Sequence, residues 1–149
     1  MNKQIKKITS AILIFCLSVT GMCAITASAA TPKIIAPLYN NTSSASSNIN
    51  ISNSGQLKIY YDYTGLSGKT TKVVITTYIE KKTLGLLWSR VENGQPNNQW
   101  VDTSYTLDYY KLRTFQLSST GTYRVTVTYK VYGSGGAADE IKCVMKDSY

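Results

Sequence analysis

The sequence contains no histidine, and of its three cysteines only Cys143 lies beyond residue 30. The first absence excludes His-based triads, His general bases and the common His-containing zinc sites. The second excludes cysteine-rich metal centres and redox pairs downstream of residue 30, and with them an intrachain disulfide. No glycine-rich phosphate cradle occurs. Gly133-Ser134-Gly135-Gly136 follows a strand-like run, but no helix opening on Lys-Ser or Lys-Thr succeeds it, so it reads as a hairpin loop. No segment after residue 30 shows a helical 3.6 period of useful length. No cofactor is called for by any pattern in the chain.

Acidic residues are also missing from the amino-terminal 30 positions. Lys3, Lys6 and Lys7 precede an apolar stretch from Ile8 to Val19, and Ala27-Ser28-Ala29 supplies small side chains at an exit site. These are the three parts of a secretory signal peptide over 1–30, with cleavage after Ala29 or Ala30. The apolar run falls short of the roughly 20 residues of a spanning helix and is diluted by Thr9, Ser10, Ser18, Thr20 and Gly21. Cys23 resembles a lipidation site, but the residue before it is the bulky Met22. The expectation is a secreted, extracellular protein, released or held at the cell surface by non-covalent contact. A small exported chain without disulfides and with only Arg90, Arg113 and Arg124 as arginines fits a bacterial origin.

Three of the 16 basic residues and none of the 8 acidic ones lie in 1–30, which leaves 13 against 8, a net charge of +5. Along the sequence these charges are scattered, which favours plain solubility over a dedicated polyanion site and offers nothing for nucleic acid. Residues 31–47, with Pro32, Pro37 and the run Asn40-Asn41-Thr42-Ser43-Ser44-Ala45-Ser46-Ser47, read as a flexible polar leader. From residue 48 to 149 the period is two. Leu57, Ile59, Tyr61 and Tyr63 share one strand face, and Val73, Ile75, Thr77 and Ile79 another. Tyr123, Val125, Val127, Tyr129 and Val131 alternate strictly with polar partners. About eight short strands separated by turn residues specify an all-β sandwich or barrel. Cys143, alternating with Ile141 and Met145, fits a buried small hydrophobe, with a reactive thiol as the other reading.

Three local patterns resemble the immunoglobulin-like sandwich. Leu86-Leu87-Trp88-Ser89-Arg90 is similar to the strand bearing that fold's core Trp. Ser119-Thr120-Gly121-Thr122-Tyr123-Arg124-Val125 resembles its tyrosine corner, and Ile75 and Val125 stand where antibody-type domains place bridging cysteines. The resemblance implies a single immunoglobulin-like sandwich of 7–8 antiparallel strands after the signal-peptide helix, with Ile75, Trp88, Tyr123 and Val125 in its core. Over most of the chain beyond residue 30 the sequence also resembles a family of small exported Gram-positive proteins of unknown function, in Glu80-Lys81-Lys82-Thr83-Leu84 leading to Trp88, in Pro96-Asn97-Asn98-Gln99-Trp100-Val101-Asp102, in Phe115-Gln116-Leu117-Ser118-Ser119-Thr120-Gly121-Thr122-Tyr123 and in Gly133-Ser134-Gly135-Gly136-Ala137-Ala138-Asp139. That resemblance implies export and a single domain and carries no activity.

Tyrosine is the abundant aromatic, with 12 copies. Tyr60, Asp62 and Tyr78 project opposite the expected core faces, and Trp100, Asp102, Tyr105, Asp108, Tyr109 and Tyr110 cluster in sequence. Exposed tyrosines are stiff platforms with a polar tip, suited to sugar rings or protein partners, and they are equally good half-buried strand residues. Asp102 with Asp108, and Asp139 with Glu140, are the carboxylate pairs from which a carbohydrase could be built, although no catalytic set is expected. The favoured expectation is a non-catalytic binding module at the cell envelope. It would contact cell-wall polymer, polysaccharide or an extracellular protein, with Lys81, Lys82 and Lys111 adding attraction to anionic polymer. The alternative is a bacteriocin-like or membrane-active antagonist, for which Lys72 to Lys82 and Tyr123 to Tyr132 are the candidate hairpins.

Overall fold

The computed structural model describes residues 39–149. The expected signal peptide and the first part of the expected leader, up to residue 38, lie outside the described residues. The eight strands are β1 (Thr42–Ile51), β2 (Gln56–Gly65), β3 (Thr70–Thr83), β4 (Leu87–Arg90), β5 (Trp100–Ser104), β6 (Asp108–Gln116), β7 (Thr122–Gly133) and β8 (Asp139–Ser148), with one 3-10 turn at Pro96–Asn98. All pairings are antiparallel. One sheet has three strands in the order β1-β2-β6. The other has five, β4-β3-β7-β8 with β5 also on β3. β4 and β5 share one edge of the long β3, beside residues 80–83 and 73–77 respectively.

The period-two pattern becomes a core because alternate side chains of facing sheets interdigitate. Leu57, Ile59, Tyr61 and Tyr63 from β2 meet Val73, Ile75 and Ile79 from β3 and the Tyr123 to Val131 set of β7. Tyr63 stacks on Tyr129 across the sandwich with centroids 6.2 Å apart. Four tyrosines are thus fully buried, and burial pushes the Tyr129 phenol up to about 12. Cys143 lies half-buried on the inward side of β8, opposite Val127.

Two expectations need correction. Residues 42–47 are not leader but the first half of β1, paired with β2 from Thr42↔Gly65 to Ile51↔Leu57. Their polar composition hides the strand because its pairing is enforced from outside. Asp139 of β8 accepts hydrogen bonds from the Asn40 amide (2.8 Å), the Asn41 amide (2.7 Å) and Thr42 Oγ1 (2.9 Å). Asp147 at the far end of β8 accepts from the Ile51 amide (2.9 Å). Between them, Tyr129 donates to the Ser46 carbonyl (2.7 Å) and its hydroxyl lies 2.8 Å from Ser47 Oγ. The Gly133–Gly136 turn closes on the same segment. Gly135 donates to Asn41 Oδ1 (3.0 Å) and lies against the Asn40 carbonyl, where a Cβ would collide.

The second correction concerns Trp88. It lies half-exposed on the short edge strand β4, on the outer side of the five-stranded sheet, and not in the core. Ile75 and Val125 are buried, but on β3 and β7 of one sheet, so they are not a cross-sheet pair. The tyrosine feature is present: Tyr123 is buried and its hydroxyl donates to the Ser119 carbonyl at 2.5 Å.

Candidate functional site

Strand alternation sorts the eight sequence-predicted surface residues into four places. Inward from β5 and β6 point Trp100, Asp102 and Tyr109. Their registers are Thr77↔Trp100, Ile75↔Asp102 and Tyr63↔Tyr109, each opposite a core position. Asp102 is an ion-pair hub, 2.5 Å from Lys111 Nζ and 2.7 Å from Arg113 Nη2. Arg113 also lies over Trp100, 4.9 Å from the ring centroid, and Trp100 meets Phe115 edge-on at 5.6 Å. These contacts join the five-stranded sheet to the three-stranded one along one side. The hydroxyls of Tyr61 and Thr77 and Nε of Arg113 are buried together in this corner. Burial pushes the Asp102 carboxyl up, but the hydrogen bonds and charges of Lys111 and Arg113 outweigh it and hold it below the usual range. A carboxylate so held is ionised at neutral pH and serves as the counter-ion of Lys111 and Arg113.

Asp108, by contrast, is exposed at the start of β6 and faces outward, so the two acids share no cleft. The second acidic pair separates as well. Asp139 of β8 is buried against the start of β1, while Glu140 is exposed beside Lys130 on the outside of the five-stranded sheet. Asp139 is subject to burial, which raises its pKa, and to the Asn40, Asn41 and Thr42 hydrogen bonds, which win and lower it. Lys111 is paired with Asp102 on the inward side of β6. Tyr105 is exposed just past β5, and Tyr78 lies on the outer side of the five-stranded sheet under Arg90, whose Cζ is 3.5 Å from the ring centroid.

Tyr60 and Tyr110 are the residues that converge. Both project from the outer face of the three-stranded sheet, and alternation brings Asp62 beside them. The register places Ser46↔Asp62↔Tyr110 in one row across the strands and Asn48↔Tyr60 in the next. Ser46, Ser47, Asn48, Tyr60, Asp62 and Tyr110 line an open groove of about 320 Å³. Tyr110 is 74% exposed. Ser46 escapes sequence reasoning because it falls at the end of the leader-like run 31–47, and Asn48 because it is only the first polar position of the expected β domain. Only the pairing of β1 reveals that they flank the two tyrosines. The backbone under them is held by Tyr129, which joins the core to the Ser46 carbonyl.

The groove offers two phenol rings, one carboxylate, hydroxyls and an amide on a rigid sheet. Such a set can stack on a pyranose ring and accept or donate hydrogen bonds around its hydroxyls. No group of His, Cys, Asp or Glu suited to a metal ion occurs among the described residues. No helix among the described residues is long and apolar enough to cross a membrane. Comparison with protein-family models, with curated proteins and with solved structures finds no match to this chain.

Proposed function

We propose that the protein is an exported, non-catalytic binding module of a Gram-positive envelope, and that the outer face of its three-stranded sheet recognises wall polysaccharide. The observation that carries this reading is the meeting of Tyr60 and Tyr110 with Asp62, Ser46 and Asn48 on a surface with no role in the core. An exposed Tyr110 beside a half-buried Tyr60 on a flat strand face, among polar side chains, matches the chemistry of a sugar and not that of a solubilising surface. The apolar faces of Lys72 to Lys82 and Tyr123 to Tyr132, the hairpins considered for a membrane-active antagonist, are buried as β3 and β7 in the middle of the sandwich.

The test is retention on purified cell wall in high salt, which screens non-specific attraction by lysines. The expected result is retention that Tyr60→Ala and Tyr110→Ala each weaken at least about tenfold, the scale of an aromatic contact of 1.4 kcal/mol. Equal retention of wild type and both variants would refute it.

A further inference from the structure

The tip of the β3–β4 hairpin carries the three most exposed large aliphatic side chains of the described residues. Leu84 is 90% exposed, Leu86 83% and Leu87 62%. The turn itself is strained. Leu84 has φ 49° and Gly85 φ 72°, and Leu86 donates to the Thr83 carbonyl at 3.2 Å. Consecutive positive φ values in a hairpin loop ordinarily belong to Asn, Asp or Gly. A leucine there is conformationally unfavourable, and the same side chain stands in water with nothing to cover it.

Behind the leucines comes Trp88, opposite Lys82, with Arg124 at 4.4 Å and Lys146 at 5.7 Å from its ring. Arg90 follows on Tyr78. The acid within this collar, Glu80, is occupied by Arg124 at 2.7 Å. Lys82, Arg90 and Lys146 have no ion-pair partner among the described residues. From the tip inward the leucines are therefore followed by an indole ringed by cations. A bilayer presents acyl chains and, outside them, an interfacial zone favoured by Trp and bearing phosphate headgroups.

We infer that this hairpin docks the protein onto an anionic lipid bilayer, with Leu84, Leu86 and Leu87 in the acyl boundary and the Lys82, Arg90, Arg124 and Lys146 collar on the headgroups. The hairpin tip is far too short to span, so the contact is peripheral. Charge complementarity selects the occupant. A phosphate-bearing polymer without acyl chains would engage the collar and leave the leucines in water. Nucleic acid would need free rings for its bases, whereas Trp88, Tyr78 and Tyr132 already carry cations of the same chain.

The experiment uses the full chain and reads Trp88 quenching by brominated lipid in vesicles of phosphatidylcholine alone, or of phosphatidylcholine and phosphatidylglycerol in equal parts. Residues 1–38 contain no tryptophan and Trp100 faces inward, so the signal belongs to the hairpin. Trp88→Phe assigns it by abolishing it. Quenching is expected with phosphatidylglycerol and not without it. Leu84→Ser with Leu86→Ser should weaken it at least about tenfold. Lys82→Gln with Lys146→Gln should weaken it about thirtyfold, from two cations at about 1 kcal/mol each. Lys58→Gln on the opposite sheet should leave it unchanged. No quenching, quenching indifferent to phosphatidylglycerol, or quenching kept by the Leu84/Leu86 variant would overturn the inference. Each of these outcomes leaves the wall-binding groove, on the other sheet, to be judged by its own variants.

Discussion

The two outer faces of this sandwich are made by the same alternation and have opposite character. On the three-stranded sheet the outward residues of β1, β2 and β6 include Tyr60, Tyr110 and Leu112 with Ser46, Asn48 and Asp62, and charge is sparse: Lys58 against Asp62 and Asp108. On the five-stranded sheet Lys72, Lys82, Arg90, Arg124, Lys130, Lys142 and Lys146 face outward against Glu80 and Glu140. Charges that are scattered along the sequence are gathered by the fold onto one side. The aromatic rings follow the same division. On the basic face each of Tyr78, Trp88 and Tyr132 lies under a cation of the chain, whereas neither Tyr60 nor Tyr110 has such a cover. One face thus exposes tyrosines amid sparse charge, and the other a surplus of cations.

The strongest way to break this comparison is to release β1. Asp139→Ala removes the acceptor of the Asn40, Asn41 and Thr42 bonds and should cost about 3 to 5 kcal/mol in urea unfolding. Amide exchange should then rise first in β1, dismantling the tyrosine groove while β3, β7 and β8 stay protected. Asp102→Asn opens the opposite seam by leaving Lys111 and Arg113 without their counter-charge. Its expected cost is smaller, about 2 kcal/mol, because Lys111 is a third exposed to screening solvent.

Acidification probes both seams at once. The folded pKa values of Asp139 and Asp102 lie below the ordinary carboxyl value of 3.8. Their contribution to stability is therefore complete above that value and is lost as pH falls through the lower folded ones. Thermal unfolding followed from neutral pH downward should show a flat midpoint that drops only in that acid window, and Asp139→Ala should flatten the drop. The smallest effect has the opposite sign. Leu84→Asn relieves the turn and should raise stability by about 0.5 to 1 kcal/mol in the same urea assay. A stability gain at a residue needed for lipid contact would mark that leucine as functional.

Strand period and core were legible in the sequence wherever apolar residues recur at every second position, as from Leu57 to Tyr63 and from Tyr123 to Val131. The first half of β1, Thr42 to Ser47, was not, because a run of Thr, Ser and Ala is specified by a partner nearly a hundred residues away, Asp139, and no local pattern announces it. The candidate surface suffered in the same way. Trp100 to Tyr110 looks like one cluster in sequence, yet the alternation within β5 and β6 turns Trp100, Asp102 and Tyr109 inward and Tyr110 outward. Trp88 was assigned to the core on local resemblance alone. Its strand has four residues and one neighbour, β3, so it has no interior to enter.

The account rests above all on the groove of the three-stranded sheet, and amide chemical shifts of the protein titrated with soluble wall glycan fragments test it most directly. The predicted result is a set of shifts confined to Ser46 to Asn48, Tyr60 to Asp62 and the neighbourhood of Tyr110, saturable and insensitive to salt. Shifts centred instead on the basic five-stranded face, or none at saturating glycan, would contradict it.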